Sequence, residues 1–456
     1  MEGFTVLILP EVKDLVVRKE TAELREMLRH LHPADVADVL VNLDGETGGA
    51  VFDAMEPGQG VKTFEHVPEG DQTRLMDVIG QAKVARVIEG MSSDDRAHFL
   101  KSLPQATIDA ILPLLAQAER NDVVRLMAFD EGTAGSIMTT EYVHFVEEMT
   151  VAEALAQIRK VAPLRETVYY VYVTDTQHHL FGVLSLRQLI LAKPEQKVGD
   201  IAQRNVIRVI VDADQEQVAQ TFEKYDFLAV PVTDNENRLL GIVTHDDVLD
   251  VVVAEATEDA HRMGAVGPMV ENHLTAPFAR VWRKRVGWLS CLFLAELFTF
   301  TALSHFEKAI SQVVVLALFV PLCISTGGNS GSQAATLITR ALALGHVTLK
   351  DWRKVLRHEI LMGFALGLTL GAIGFVRACM TPASILGGAS RLGLGLVISQ
   401  SVTVICLWGT LIGSLLPLLF KRLGFDPGMA SSPFVATFVD VTGIMIYFSI
   451  ARVYLL

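Results

Sequence analysis

The stretch Ser325-Thr-Gly-Gly-Asn-Ser-Gly-Ser-Gln333 is polar and rich in glycine, yet it lies between two apolar runs, Val313–Leu322 and Ala334–Leu344. The whole segment is long enough to cross a bilayer, which takes roughly 20 helical residues. A run of this kind disrupts a helix, and at membrane depth it must be buried in protein or line water. The sequence therefore predicts a broken span that lines a pore. A close-packed helix interface built from small residues is the alternative.

Residues 277–456 contain five apolar stretches long enough to cross a bilayer. We place the predicted spans at Val286–Phe306, Val313–Leu344, His358–Met380, Gly393–Phe420 and Pro433–Leu455. Three basic clusters flank these spans: Arg280, Arg283, Lys284 and Arg285; Arg340, Lys350, Arg353, Lys354 and Arg357; and Lys421 and Arg422. All three fall on the same side if the N-terminus is cytoplasmic. We therefore predict a multi-pass protein of the cell (inner) membrane with its N-terminus in the cytoplasm and its C-terminus outside.

The charges of the chain divide as sharply as its hydropathy. The 456 residues include 52 acids and 39 Lys or Arg; residues 1–276 hold 46 of the acids and 24 of the basic residues, a net charge of −22. Residues 277–456 carry a net charge of +9. An acidic soluble part followed by a membrane part explains this division and excludes a single soluble globule. The acidic part would repel phosphates, which argues against nucleic acid as a partner.

No enzyme signature stands out in the sequence. His358-Glu359 is not followed by the second histidine of H-E-x-x-H, and neither G-x-S-x-G nor a Walker loop occurs. We therefore expect a protein that is not an enzyme.

Residues 136–253 contain an internal duplication. Val171-Tyr-Val-Thr-Asp175 matches Val230-Pro-Val-Thr-Asp234, and Leu180-Phe-Gly-Val183 matches Leu239-Leu-Gly-Ile242 at the same offset. Each copy is typical of a helix, a strand, a turn, a strand with glycine and a further helix. So short a unit cannot cover its own sheet, so the two copies should pack together. The pattern resembles a tandem pair of CBS domains.

Residues 1–130 are predicted to form short helices. His32-Pro33-Ala34-Asp35 and Met91-Ser92-Ser93-Asp94-Asp95 each place a helix start before apolar residues at helical spacing. Repetition of such a unit predicts a small α-solenoid, with an irregular helical bundle as the alternative.

The fifth span contains one acid, Asp440, within the segment Phe434–Gly443, which is otherwise free of charge. An ionisable group at this depth is costly and usually functional. Ser432, Ala436 and Asp440 are spaced at i, i+4 and i+8, so they fall near one helical face. Glu296 in the first span is the competing candidate. Carboxylate, amide, hydroxyl and carbonyl oxygens suit a hard cation, and Mg²⁺ keeps several waters and needs few protein ligands.

These features together resemble the MgtE family of magnesium channels. The resemblance rests on the helical N domain, on Ala134-Gly-Ser-Ile-Met-Thr-Thr140 before the CBS pair, on Gly327–Gln333 and on Ala436-Thr-x-x-Asp440-x-Thr-Gly443. It implies a homodimer in the membrane lipid, with the ion path between the fifth spans and Asp440 as the main selectivity ligand. The other pore positions would be Ala436, Ser432, Gly328 and Asn329. Ser432 stands where that family's pattern has Asn.

The resemblance also implies that cytosolic Mg²⁺ bridges acids between the soluble domains and closes the pore through a linker helix. The candidate regulatory acids are Asp94, Asp95, Asp214, Glu216, Asp226, Asp246, Asp247, Asp250, Glu255, Glu258 and Asp259. A solvated surface acid is the alternative for any one of them.

ATP is a second implied ligand, because some CBS pairs bind adenine nucleotides. Thr244-His-Asp-Asp247 fits the Thr-x-x-Asp ribose clamp, whereas the first copy has Gln188 in place of the acid. The other candidate contacts are Tyr170, Arg187, Phe227 and Pro231. An empty cleft is the alternative.

We thus expect a multidomain membrane protein made of an α-helical N-terminal solenoid, a tandem α+β CBS pair, a linker helix and a five-helix transmembrane domain. The expected boundaries are 1–130, 131–253, 254–276 (the linker, or plug, helix) and 277–456. The expected function is that of a Mg²⁺-selective channel for magnesium uptake, gated by cytosolic Mg²⁺. An ion-coupled secondary transporter of divalent cations is the main alternative, and a nucleotide-sensing membrane protein without transport is a third.

Overall fold

The computed structural model describes residues 2–269 and 276–455. Residues 270–275, which belong to the predicted linker, lie outside the described residues. The chain divides into two compact units, Met1–Val252 and Val253–Leu456.

The first part of the chain is entirely helical, as predicted. Its helices are α1 (Glu2–Arg18), α2 (Thr21–Arg29), α3 (Pro33–Val41), α4 (Gly45–Ala54), α5 (Pro57–Glu65), α6 (Glu69–Ile79), α7 (Gln81–Gly90), α8 (Ser93–Ser102), α9 (Gln105–Ile111) and α10 (Gln117–Met127). The predicted starts at His32-Pro33 and at Ser92-Ser93 are confirmed by α3 and α8. The rings of Phe64 and Phe99 meet edge to face in the shared core, 5.1 Å apart. This core packs α5 against α8 and so places the start of α8.

The duplicated part forms two similar three-stranded sheets, which confirms the predicted CBS pair. Its elements are β1 (His144–Val146), α11 (Val151–Val161), β2 (Tyr170–Thr174), β3 (Leu180–Ser185), α12 (Leu186–Leu191), α13 (Val198–Ile201), β4 (Val209–Ile210), α14 (Gln215–Tyr225), β5 (Ala229–Thr233), β6 (Leu239–Thr244) and α15 (His245–Met263). In each copy the first strand is parallel to the second and the second is antiparallel to the third. The copies share a core that includes Tyr172 and Ile242, so neither sheet is left uncovered.

The helical domain is docked on the CBS pair through buried hydroxyl groups. The Ser93 Oγ lies 3.0 Å from the Thr139 Oγ1 and accepts a hydrogen bond from the Thr140 backbone N–H at 2.8 Å. The Thr140 hydroxyl also donates to the Asp122 carboxylate at 2.6 Å. These bonds hold the first turn of α8 against the segment that leads into the CBS pair.

The helix that leaves the CBS pair, α15, differs from the predicted linker helix at 254–276. It begins directly after β6 and ends at Met263. The chain then turns, because Ala265 adopts a positive φ of 57° and Val266 donates a backbone hydrogen bond to the His261 carbonyl. A left-handed residue just after the last turn is a common way for a helix to end.

Among its described residues, the second unit contains five helices that are long and apolar enough to cross a membrane. Its helices are α16 (Phe278–His305), α17 (Glu307–Gln312), α18 (Val315–Ala343), α19 (Trp352–Cys379), α20 (Ala383–Leu386), α21 (Arg391–Arg422) and α22 (Ser432–Tyr454). A 3-10 turn at Pro427–Met429 precedes α22. The five predicted spans are therefore confirmed as helices, although α16 and α19 begin earlier than predicted.

The predicted break in the second span is wrong, because α18 is one continuous helix through Ser325–Gln333. Its glycines serve close packing instead. A methyl group on Gly331 would lie 2.8 Å from the Gly409 carbonyl oxygen, and one on Gly413 would lie 2.0 Å from the Gly331 carbonyl oxygen. The backbones of α18 and α21 thus touch where neither helix has a side chain. Inside a membrane every backbone N–H and C=O group needs a hydrogen-bond partner, and a continuous helix supplies these partners itself.

Candidate functional site

The contact between α18 and α22 brings together three of the predicted pore residues. A methyl group on Gly328 would lie 3.5 Å from the Ala436 Cβ and 3.6 Å from the Asp440 Oδ1. The Asp440 carboxylate therefore lies over a position of α18 that has no side chain. One turn further along α18, the Ser332 hydroxyl donates a 3.2 Å hydrogen bond to the Ser432 carbonyl oxygen. The i, i+4, i+8 face predicted for α22 is thus the face that meets α18.

The remaining predicted pore residue, Asn329, is exposed next to Gly328 and donates a 3.4 Å hydrogen bond to the Ser325 hydroxyl. This contact is long, so the amide is only weakly held. Amide and hydroxyl oxygens therefore lie beside the Gly328 position on α18, where they are accessible from outside the helix.

The Asp440 carboxylate has no basic side chain beside it within the described residues. Asp440 is half-buried, and in the described part of the chain no side chain donates a hydrogen bond to it and no basic group pairs with it. Glu296 of α16, which accepts a 2.9 Å hydrogen bond from the Thr299 hydroxyl, is close enough to repel it. A carboxylate at the depth of a membrane span is normally paired or functional. The arrangement suits a cation that passes or binds at this place.

Polar contacts deeper in the unit fix the helices that carry this face. The Trp408 indole N–H donates to the Thr442 hydroxyl at 2.9 Å, and the Tyr447 hydroxyl donates to the Leu316 carbonyl at 2.9 Å. The Ser330 and Thr410 hydroxyl oxygens lie 2.6 Å apart. These bonds join α18, α21 and α22, so the residues of the site belong to helices that pack against one another and not to loops.

A second candidate site lies in the first unit, where the start of α8 meets the start of α15. Five of the predicted regulatory acids gather there: Asp94, Asp95, Asp246, Asp247 and Asp250. Burial and the neighbouring Asp95 raise the pKa of Asp94, and burial and the Asp94 carboxylate raise the pKa of Asp247. Asp94 is only 6% exposed and its Oδ1 has no hydrogen-bond partner.

Two further acids face this cluster, and sequence reasoning missed both. Burial and Asp95 raise the pKa of Glu65 to about 7, and burial and Asp94 raise the pKa of Glu166 to about 8. Each is separated in sequence from the acid-rich segments, so only the fold brings them in. Of these acids Asp94 is buried and Asp247 and Glu65 are half-buried, and the others lie at the surface. Neighbouring carboxylates that repel one another suit a bridging cation. In the described residues no three of them are preassembled as a metal site.

Three other predicted regulatory acids lie at the ends of α14. Asp214 caps the helix by accepting a 2.8 Å hydrogen bond from the Glu216 backbone N–H, and Asp226 ends it in a left-handed conformation with φ 53°. Glu216 occupies the first turn. Asp214 and Asp226 thus have local structural roles at the two ends of α14.

The last predicted acids, Glu255, Glu258 and Asp259, lie on the part of α15 that belongs to the second unit. Burial and Glu255 raise the pKa of Asp259, while Arg340 at the end of α18 acts in the opposite direction. Glu258 pairs with Arg262 of the next turn. This end of α15 therefore combines acids with basic groups of its own unit.

The predicted nucleotide residues are only partly free to bind a ligand. The Thr244 hydroxyl donates to Asp246 at 2.6 Å and also bonds Asp247, which belongs to the acid cluster. In the first copy the Gln188 side chain accepts a 2.8 Å hydrogen bond from the Ser185 N–H, so an amide fills the place of the clamp acid. Of the remaining candidates, Arg187 is exposed, Tyr170 and Phe227 are half-buried and Pro231 is buried in β5.

Comparison with known proteins agrees with this architecture. The family described as MgtE, divalent cation transporter, matches residues 320–450; the MgtE intracellular N domain matches 31–132, and the CBS domain matches 134–195 and 198–254. Magnesium transporters MgtE of Thermus thermophilus and Enterococcus faecalis are 40% and 34% identical to the chain. The first match covers 96% of both chains, and the second covers 100% of this chain and 98% of the relative.

Two solved structures are similar to the soluble part. One is the soluble part of a magnesium transporter (34% identity, TM-score 0.52), which covers 55% of this chain and 99% of that one. The other is the cytosolic domain of the Mg²⁺ channel MgtE in complex with ATP (36% identity, TM-score 0.52), which covers 53% and 99%. The fold and the site define a membrane transport protein with a CBS-containing soluble part. The chain belongs to the MgtE family of magnesium transporters.

Proposed function

We propose that this chain forms a Mg²⁺-selective channel that mediates magnesium uptake, with Asp440 as its main selectivity ligand. The observation that carries the proposal is the unpaired Asp440 carboxylate over the bare backbone of Gly328. Ala436, Ser432 and Asn329 complete the path with small or oxygen-bearing groups. One carboxylate is few for a divalent ion, so the channel is a homodimer whose twofold axis brings two Asp440 side chains to a hydrated ion.

The same proposal places the protein in the cell membrane with its N-terminus in the cytoplasm. The basic clusters at Arg280–Arg285, Arg340–Arg357 and Lys421–Arg422 support this orientation by the positive-inside rule. The acidic soluble part then faces cytosolic Mg²⁺.

Cytosolic Mg²⁺ closes the channel by binding between the helical N domain and the CBS pair. The support is the meeting of Asp94 and Asp95 with Asp246, Asp247 and Asp250, where neighbouring carboxylates repel one another. Glu65 and Glu166 belong to the same sensor. The signal leaves through α15, because Asp247 and Asp250 lie in its first turns and Asp259 lies near its end.

ATP is a regulatory ligand of the CBS pair in this proposal. A relative's cytosolic domain has been solved in complex with ATP. In the second copy of this chain, Thr244 and Asp247 match the Thr-x-x-Asp motif that binds ribose. Because Asp247 is shared with the acid cluster, nucleotide and Mg²⁺ binding are coupled through one side chain.

An ion-coupled transporter is the alternative that depends on a broken second span. Within the described residues α18 is continuous through Ser325–Gln333. No broken span there supports transport of Mg²⁺ coupled to a second ion. The test is Mg²⁺ flux into liposomes that contain the purified protein. A channel conducts passively down the electrochemical gradient, and Mg²⁺ on the side of the soluble part reduces the current. Flux that requires a proton or sodium gradient would contradict the channel.

A further inference from the structure

A groove on the first turns of α19 is not used by the channel. It is a shallow depression of about 320 Å³ that is open to the surroundings, and its lining residues are Arg353, Leu356, Arg357, Ile360 and Leu361. All five belong to the helix that starts the third span. Their order along the helix changes from basic to apolar, as expected where a span enters the membrane.

The basic end of the groove consists of two arginine side chains. Arg353 and Arg357 are exposed and lie one helical turn apart, and neither has a carboxylate partner in the part of the chain that the structure describes. Lys354 between them differs, because it forms a 2.7 Å ion pair with Asp351. The Arg353 guanidinium lies 5.3 Å from the centre of the Trp352 ring, which restricts its position. Two neighbouring guanidinium groups of this kind suit the oxygens of one phosphate.

The other end of the groove is apolar and continues into the span. Ile360 is 42% exposed and Leu361 is 63% exposed, and the exposed face continues through Phe364. Trp352 is 46% exposed beside the arginines, and tryptophan is enriched at the boundary between membrane and water. The groove therefore presents charge at the boundary and hydrocarbon below it.

We propose that this groove binds an anionic phospholipid. Its phosphate lies between Arg353 and Arg357, and one acyl chain lies along Leu356, Ile360 and Leu361. Charge complementarity favours an anionic lipid over a zwitterionic one, since basic groups near the surface attract anionic lipid. The apolar half of the groove favours a lipid over a free phosphate, which would leave Ile360 and Leu361 uncovered.

Native mass spectrometry of the full-length protein in micelles tests this assignment. The probes are palmitoyl-oleoyl phosphatidylglycerol and phosphatidylcholine with the same chains. Removing both charges by Arg353→Gln with Arg357→Gln should weaken phosphatidylglycerol binding about 30-fold. Phosphatidylcholine binding should fall much less, because its choline cation already offsets the phosphate charge. The matched control, Lys350→Gln with Lys354→Gln, removes the same charge from the same helix end but outside the groove, and should retain phosphatidylglycerol.

Three outcomes would overturn the proposal. Equal loss in both double variants would mean diffuse attraction to the basic surface instead of a groove. Displacement of the lipid by glycerol 3-phosphate would mean a site for a soluble phosphate. A change of oligomeric state in the arginine variant alone would mean that a second copy of the chain covers this face. Equal melting temperatures in phosphatidylcholine micelles show that the variants are folded.

Discussion

The Arg262 guanidinium forms an ion pair with the Asp426 carboxylate, and this pair joins the end of α15 to the turn before α22. Arg262 also pairs with Glu258 one turn earlier, and Asp426 accepts a 2.6 Å hydrogen bond from the Gly428 N–H. A methyl group on Gly428 would lie 3.1 Å from the Arg262 Cβ, so the two segments are in close contact. The helix that leaves the CBS pair is thus bonded to the segment that leads to Asp440.

If α15 closes the channel, this ion pair should set how strongly Mg²⁺ inhibits. Arg262→Gln and Asp426→Asn should each raise the inhibitory Mg²⁺ concentration roughly two- to fivefold, since a part-exposed pair contributes about 0.5–1 kcal/mol. The double variant should show no larger shift than Arg262→Gln alone, because Arg262→Gln already removes the interaction that Asp426→Asn removes. Inhibition curves in proteoliposomes measure this. Additive shifts would mean that the two residues act independently.

The acid cluster predicts that stability without Mg²⁺ falls as the pH rises. Glu65 and Glu166 have folded-state pKa values of about 7 and about 8, above the ordinary value of 4.5. Between pH 4.5 and 8 the folded protein therefore holds more protons than the unfolded chain, and stability decreases with pH over this window. The slope is at most about 1.4 kcal/mol per pH unit for Glu65, and it is smaller for Glu166, because solvent screens this exposed side chain.

Thermal unfolding from pH 5.5 to 8.5 measures this dependence, with and without Mg²⁺. Saturating Mg²⁺ should flatten the slope, because the cation replaces the protons between the carboxylates. Glu166→Gln should also flatten it, whereas Glu236→Gln, which removes an exposed acid of the CBS pair paired with Arg238, should not. A melting temperature that rises with pH would contradict the electrostatic account of the cluster.

Gly413→Ala should disturb the membrane unit, because the added methyl group would lie 2.0 Å from the Gly331 carbonyl oxygen. Backbone cannot move aside as a flexible side chain does, so we expect a loss of about 1–3 kcal/mol or failure to fold. Gly287→Ala is the matched control in another span, since nothing lies within 4 Å of the new methyl group. The melting temperatures of the two variants in detergent measure the difference. An unaffected Gly413→Ala protein would show that α18 and α21 are less closely packed than described.

The sequence was sufficient to predict the features that depend on local patterns. The CBS pair follows from the repeat that includes Val171 and Val230, and Asp440 is visible as the one acid of its span. The continuous α18 was not predictable, because the role of Gly331 depends on Gly409 and Gly413 in a distant helix. Glu65 and Glu166 were missed for the same reason, since only tertiary packing places them beside Asp94.

The central claim is that Mg²⁺ passes the Asp440 carboxylate, and flux through Asp440→Asn tests it most directly. The substitution removes the charge and keeps the shape, so the protein should assemble as before. Mg²⁺ uptake into liposomes should fall at least tenfold, because no other acid lies on the face of α22 that meets Gly328. Glu296→Gln, which removes the other candidate carboxylate of the spans, should retain most of the flux. Wild-type uptake by Asp440→Asn, with loss in Glu296→Gln, would contradict the account.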